Sequence, residues 1–305
     1  MAASRSRVEV PVKSFRDAVR DSDFVISAQL PLGPGTTGGD LRQMLEKLRP
    51  VVDAVQVSDN PTTQPHIAPL AAAAISLQEG IDPIVQMTCR DRNRIALQSD
   101  VMGAAAIGVT SLILSRGEKM PAMHKQRIKG VFDIGGRRLM ATAQAVSTNE
   151  RLIAPPGFFL GSNVTVVDPP EDWTAEGIGN KAGAGSKFVQ TQPCMDLAVL
   201  RKYMAALVAR KALERVSVIV QVPLFGSLAE IQELQGARRP LLITPGLIER
   251  LRNAHDFSAE AEAACSETLQ ALPAIPGVAG ANVIHRLDPA GVVRVLVTTF
   301  GTRVA

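Results

Sequence analysis

A single (β/α)8 barrel is the fold class the sequence predicts, on three observations. Short β-branched or apolar runs alternate with helical patterns almost from end to end, about eight times over. The chain has 305 residues, of which 46% are hydrophobic and 20% charged, enough apolar material for one large core. A doubly wound sheet, the alternative, calls for a Gly-x-Gly-x-x-Gly turn after the first strand, and none is present.

The strand candidates are 24–30 (FVISAQL), 54–59 (AVQVSD), 83–89 (PIVQMTC), 111–117 (SLILSRG), 158–164 (FFLGSNV), 188–192 (FVQTQ), 216–224 (VSVIVQVPL) and 281–287 (ANVIHRL). Each is short and ends in a polar or turn-forming segment, as parallel strands covered on both faces do. Helical periodicity occupies 40–50, 67–79, 92–107, 136–146, 196–213, 228–235, 245–254 and 259–272. Glycine-rich 33–39 (GPGTTGG) reads as a connector. The reading treats 1–305 as one domain, with residues 1–22 an N-terminal extension and 163–185 a long active-site loop. The segment 292–300 (VVRVLVTTF) poses a conflict. Its β-branched content favours a strand, yet a barrel that already has eight strands requires a closing helix.

Composition narrows the function. The net charge is +4 with no Lys/Arg block longer than a pair, and aromatics make up 4% of the chain. A nucleic-acid surface wants a basic stripe and stacking rings, so none is expected, whereas an anionic small ligand suits the mild positive balance. Four scattered histidines and three distant cysteines (Cys89, Cys194, Cys265) suggest neither a transition-metal site nor a disulfide framework. No apolar run is long enough to span a bilayer and no secretory h-region opens the chain, so a cytoplasmic location is expected.

Barrel chemistry gathers at the carboxyl ends of the strands. Those ends deliver Gln29, Ser58-Asp59-Asn60, Thr88 to Asp91, Arg116-Gly117-Glu118, Ser162-Asn163, Thr191-Gln192 and Leu224-Phe225. The set is rich in amides and has no Ser-His-Asp arrangement. It suits a planar heterocycle read through its donor and acceptor edges. Asp91 reads as an arginine partner, Trp173 as a packing anchor, and His66 is left without a role.

Specific motifs carry the reading further. DAVQVSDN at 53–60, GIDPIVQMTCRDRNRIALQSDVMGAAAIG at 80–108, LILSRGE at 112–118 and KAGAGSKFVQTQPCMD at 181–196 resemble the methylenetetrahydrofolate reductase family, in that family's order. VFDIG at 131–135, ITPGLIERL at 243–251 and GVAGANVI at 277–284 are similar to it as well. The resemblance implies a (β/α)8 barrel that carries FAD and reduces 5,10-methylenetetrahydrofolate to 5-methyltetrahydrofolate with NADH or NADPH. It further implies cofactor contacts at Ser58, Gln86, Arg116, Gly117, Glu118, Ser162 and Lys181, and substrate contacts at Gln29, Gln192 and Phe225. A homo-oligomer or a methyl-transfer partner protein is compatible with it. One departure matters. Where the family places a general-acid glutamate, this chain has Gln29, and an amide donates no titrating proton. Glu118 and Asp59 are the nearest strand-end acids. Two alternatives therefore stand beside the reductase: a folate- or flavin-binding protein with little turnover, and a related one-carbon enzyme that uses another pterin or runs in the oxidising direction.

Overall fold

The structure, a computed structural model, describes residues 13–61, 64–118, 129–149, 157–237, 239–286 and 289–303. Eight parallel strands close into a barrel in chain order: β1 (Val25–Gln29), β2 (Ala54–Val57), β3 (Asp82–Thr88), β4 (Ser111–Ser115), β5 (Phe159–Asn163), β6 (Phe188–Pro193), β7 (Ser217–Pro223) and β8 (Val278–Ile284). Pairing of Val25 with Gly280 and of Ser27 with Asn282 seals the last strand to the first. The helices are α1 (Phe15–Asp21), α2 (Gly38–Leu48), α3 (Pro69–Gln78), α4 (Arg94–Ala106), α5 (Gly136–Ser147), α6 (Glu176–Gly183), α7 (Leu197–Ala209), α8 (Leu228–Gln235), α9 (Pro245–Arg252), α10 (Phe257–Ala271) and α11 (Ala290–Phe300).

Local chemistry sets most element starts. Thr37 caps α2 in a reciprocal box with Asp40, which is why the glycine-rich connector ends where it does. Asn93 caps α4 through the Ala96 N–H, ending the arginine-rich turn before it.

Two expectations are corrected, and the N-terminal extension gains a structure. The last strand lies at 278–284 rather than 281–287, because the left-handed Gly277 starts it three residues earlier; Leu287 lies outside the described residues. The segment 163–185 is not loop throughout, since α6 occupies 176–183 and buries Ile178. Residues 15–21, within the expected extension, form a helix that belongs to the core. The conflict over 292–300 resolves as helix α11. With the barrel closed there is no free edge to join, and Val292, Val295 and Leu296, at helical spacing, find burial as a helix face instead.

Helix α1 seals the barrel floor. Phe15 meets Phe188 and Phe159 at centroid distances of 5.3 and 6.0 Å, over a layer of Val25, Ala54, Ile84, Ile113 and Ile219. The Phe188 ring fills the place a Cβ at Gly161 would take, so only glycine fits there. The Phe15 N–H donates to the buried Asp82 carboxylate at 2.7 Å. Burial pushes that carboxyl up to about 6, against an ordinary 3.8. A carboxyl raised in the folded state favours folding below pH ~4, and the contribution is lost as pH rises through about 6. Asp82→Asn should therefore remove roughly 3 kcal/mol of pH dependence between those limits, because each tenfold change in proton affinity is worth about 1.4 kcal/mol. Urea midpoints of the two proteins at several pH values measure this directly, and parallel pH curves would refute it.

Candidate functional site

Above the apolar floor the barrel interior turns polar and stays uncharged. Inward positions along the strands carry Ser27 and Gln29 on β1, Gln56 on β2, Gln86 on β3, Gln190 on β6, Gln221 on β7 and Asn282 on β8. Gln190 Nε2 donates to Gln56 Oε1 at 2.7 Å. The strands β2 and β6 stand opposite each other, so this bond bridges the lumen. Ser27 Oγ donates to Asn282 Oδ1 at 2.9 Å in the same region. Gln190 and Asn282 are 2% and 0% exposed, and each leaves one carboxamide atom without a partner: Gln190 Oε1 an acceptor, Asn282 Nδ2 a donor. Buried polar atoms are normally satisfied, so this pair marks a place where a donor and an acceptor are wanted. Gln29, Gln86 and Gln221 are only half-buried, which leaves their carboxamides reachable from the mouth.

A charged rim stands at the ends of β2 and β3. Asp59 accepts the Thr88 N–H at 2.6 Å and pairs with the Arg92 guanidinium, whose other arm reaches Asp100 at 2.7 Å. Burial pushes the Asp59 carboxyl up, against the opposing pull of Arg92 and Thr88. Arg90 grips Asp91 with two bonds of 2.7 Å and donates to the Asn60 carbonyl at 2.8 Å. Burial raises the Asp91 carboxyl, but the Arg90 bonds outweigh it and hold the group below its usual range. The expected structural pairing of Asp91 is thus what the geometry shows. His66 takes the Asn60 N–H on Nε2, with Nδ1 2.7 Å from the Ile67 carbonyl, so it fixes the turn after β2.

The remaining sequence candidates are dispersed. Ser58 is buried at the end of β2. Gly117 holds a left-handed φ of +82° with the Thr88 Cβ 3.0 Å from where its own would be, so the chain after β4 can press against β3 only as glycine. Thr88 Oγ1, buried beside it, has no partner. Arg116 is exposed and lies 4.9 Å over the Phe132 ring, and Glu118 is exposed one residue beyond the glycine. Ser162 faces the helix layer and accepts from Ser186 Oγ at 2.8 Å. Gln192 follows a bulge in β6 and is turned onto the chain after β5, accepting the Val166 N–H at 2.8 Å and donating to the Val166 carbonyl at 3.0 Å. Phe225 is buried in a small cluster with Met195, Ile231 and Leu241. Lys181 lines a separate cavity outside the lumen.

Neither a family model nor a curated protein matches the sequence. Among solved structures, the chain superposes on an uncharacterized protein from Clostridium thermocellum described as binding two copies of 5-methyl-5,6,7,8-tetrahydrofolic acid. The TM-score is 0.64 at 12% identity, over 92% of this chain and 97% of that one. Weaker superpositions are to the long-chain alkane monooxygenase LadA (TM-score 0.49, 11% identity, 90% and 89% covered) and to oxaloacetate acetylhydrolase (0.45, 16%, 90% and 80%). The likeness to the Clostridium thermocellum protein is one of fold.

The sequence reading missed Gln56, Gln190, Gln221 and Asn282. A signal was available: a carboxamide interrupts the apolar run in SAQL, AVQV, IVQM, FVQT and IVQV. Cys89, Cys194 and Cys265 are buried, and burial pushes their thiols up to about 11, 12 and 12, so all three stay protonated. Among the described residues no group of His, Cys, Asp or Glu could hold a metal ion, and no helix is long and apolar enough to cross a membrane.

Proposed function

We propose that the barrel lumen binds a reduced folate or a closely similar pterin, and that the chain interconverts its methylene and methyl forms by hydride transfer from NAD(P)H. The uncharged carboxamide lumen, with Gln190 Oε1 and Asn282 Nδ2 buried and unpartnered, carries this reading. A pterin edge offers amide-type donors and acceptors side by side, and each would satisfy one of those atoms. The motif resemblance and the likeness to a barrel described as binding 5-methyl-5,6,7,8-tetrahydrofolic acid point the same way.

The polar atoms at the ends of β2 to β4 fit a redox cofactor in donor–acceptor chemistry: the Ser58 hydroxyl, the half-buried Gln86 carboxamide and the unpartnered Thr88 Oγ1 beside Gly117. A flavin such as FAD, or the nicotinamide itself, would supply the hydride there. The chain's own residues bind and orient. Gln29 offers a hydrogen bond at the mouth but no proton. Asp59 is tied to Arg92 and Thr88, which leaves Glu118, exposed just past Gly117, as the strand-end carboxyl free to move a proton. Gln192 acts as a positioning residue through Val166. The locked Asp59 and the amide at Gln29 also favour a second reading, in which the protein binds folate with slow turnover.

Gln190→Met keeps the shape of the side chain but removes the bridge and strands Gln56. Affinity for 5-methyltetrahydrofolate should then fall by about 5- to 150-fold, the effect of leaving a buried polar group unpaired at roughly 1–3 kcal/mol. Calorimetric titration of both proteins, with NADH oxidation in the presence of methylenetetrahydrofolate followed alongside, tests the reading. A folded wild type with no affinity for reduced folates would overturn it.

A further inference from the structure

Most outer helices turn charge to solvent: α2 exposes Arg42 and Glu46, α7 Arg201 and Lys202, and α9 Glu249 and Arg252. The neighbours α3 and α4 differ. Their only charged residues are Arg94, at the start of α4, and Asp100, which pairs with Arg92. A Leu70 methyl of α3 lies 3.2 Å from where a Gly103 Cβ would stand, so the two helices form one continuous face. Opposite the buried Leu97, Val101 and Ala104, α4 carries an exposed ridge of Ile95, Ser99, Met102 and Ala106. Ile95 is 74% exposed and Met102 54%. The ridge runs in steps of four, three and four residues, the spacing of a seam that packs on another helix. Single exposed apolar side chains are ordinary, whereas an uncharged seam of them is not.

We infer that α4 packs antiparallel on α4 of a second copy of this chain, about a two-fold axis between Ser99 and Met102, with α3 at its flank. The ridge is self-complementary in that arrangement. Reversal sets Ile95 against Ala106 of the second copy and Met102 against its Ser99, so each large side chain meets a small one. A parallel pairing would instead oppose large to large and leave gaps over Ser99 and Ala106. Charge agrees with the antiparallel choice: each Arg94 comes to the carboxyl end of the other α4, where the helix dipole is negative. A membrane surface would call for a basic fringe, and Arg94 is the one cation on the two helices. With 10 and 13 residues, α3 and α4 are about 15 and 20 Å long and about 10 Å wide each. Their joint face is then on the order of 400 Å² before its flanks are counted, against the ~600 Å² per partner at which specific interfaces begin. That size suits a dimer that dissociates on dilution rather than an obligate one. The inference does not depend on which ligand the lumen takes.

Sedimentation equilibrium of the full-length protein, from low to high micromolar, should show twice the chain mass and a return to the single chain on dilution. Ile95→Lys and Ala106→Glu fall on exposed positions and should leave the fold intact, which circular dichroism checks. Each alone should weaken the dimer at least about tenfold, because it buries an unpaired charge in the seam. The double variant Ile95→Lys/Ala106→Glu should restore it, since in the antiparallel register each new lysine faces the new glutamate of the other copy. A wild type that is monomeric throughout overturns the inference, and if removal of residues 1–12 then raises hydrogen exchange in α4, the face belongs to that segment. A dimer that both single variants leave intact lies on another face and overturns it equally. A double variant that stays monomeric rules out the antiparallel register and with it the proposal.

Discussion

Asp59→Ala should lower the stability of the protein by about 3–5 kcal/mol, the effect of removing one partner from a buried ion pair. Asp59 is 4% exposed and holds both the Arg92 guanidinium and the Thr88 N–H. Without it, Arg92 keeps Asp100 and a long bond of 3.5 Å to the Thr88 carbonyl, and a backbone N–H at the end of β3 loses its acceptor. Arg92 Nε is already buried without a partner, so the loss of Asp59 adds a second poorly satisfied stretch to the guanidinium. The double variant Asp59→Ala/Arg92→Met should recover part of the loss, because no uncompensated charge is then left behind. Chemical denaturation of the single and double variants measures both effects. A loss under about 1 kcal/mol in the single variant would place this cluster among weak surface pairs.

Gln29→Glu should accelerate reduction of methylenetetrahydrofolate by at least about tenfold, within the 10²–10⁴ that a positioned general acid supplies. Glutamate is nearly isosteric with glutamine, and Gln29 is half-buried at an inward position with no side-chain partner among the described residues, so the barrel should accept it. The uncharged lumen disfavours a carboxylate, and desolvation there should lift the new group toward neutrality, where it is most useful as an acid. Single-turnover hydride transfer across about pH 5–8 reads this as a rate that falls once the new carboxyl ionises. If wild type already reacts fast and Gln29→Glu is neutral, the proton comes from elsewhere, and Glu118→Gln should then be the variant that slows it.

Much of the fold was legible in the residues alone. Each of the eight strand candidates became a strand, seven of them within a few residues of the expected bounds, because a strand buried on both faces leaves a mostly apolar signature. The eighth was displaced because Gly277 and Gly280 hid its start behind residues that read as turn. Helix α6 escaped notice for a similar reason: EGIGNKAG holds three glycines and buries only Ile178, so it shows no apolar stripe. The candidate site was legible as a chemical type, rich in amides at the strand ends, but its geometry was not. Ser162 and Gln192 lie at strand ends as expected, yet one faces the helix layer and the other is turned by a bulge onto Val166.

By itself the sequence determined what depends on local pattern: the alternation of strand and helix, the caps at Thr37 and Asn93, the apolar cores of the strands, and the glutamine standing at position 29. Only the tertiary structure decided what depends on closure. Pairing of β8 with β1 removed the free edge and made a helix of a β-branched tail. Closure also brought Gln56 and Gln190, 134 residues apart, within 2.7 Å of each other across the lumen. Propensity acts over a few residues, whereas a bond across a barrel exists only once all eight strands have curved round to meet; the candidate site is made of the second kind of contact.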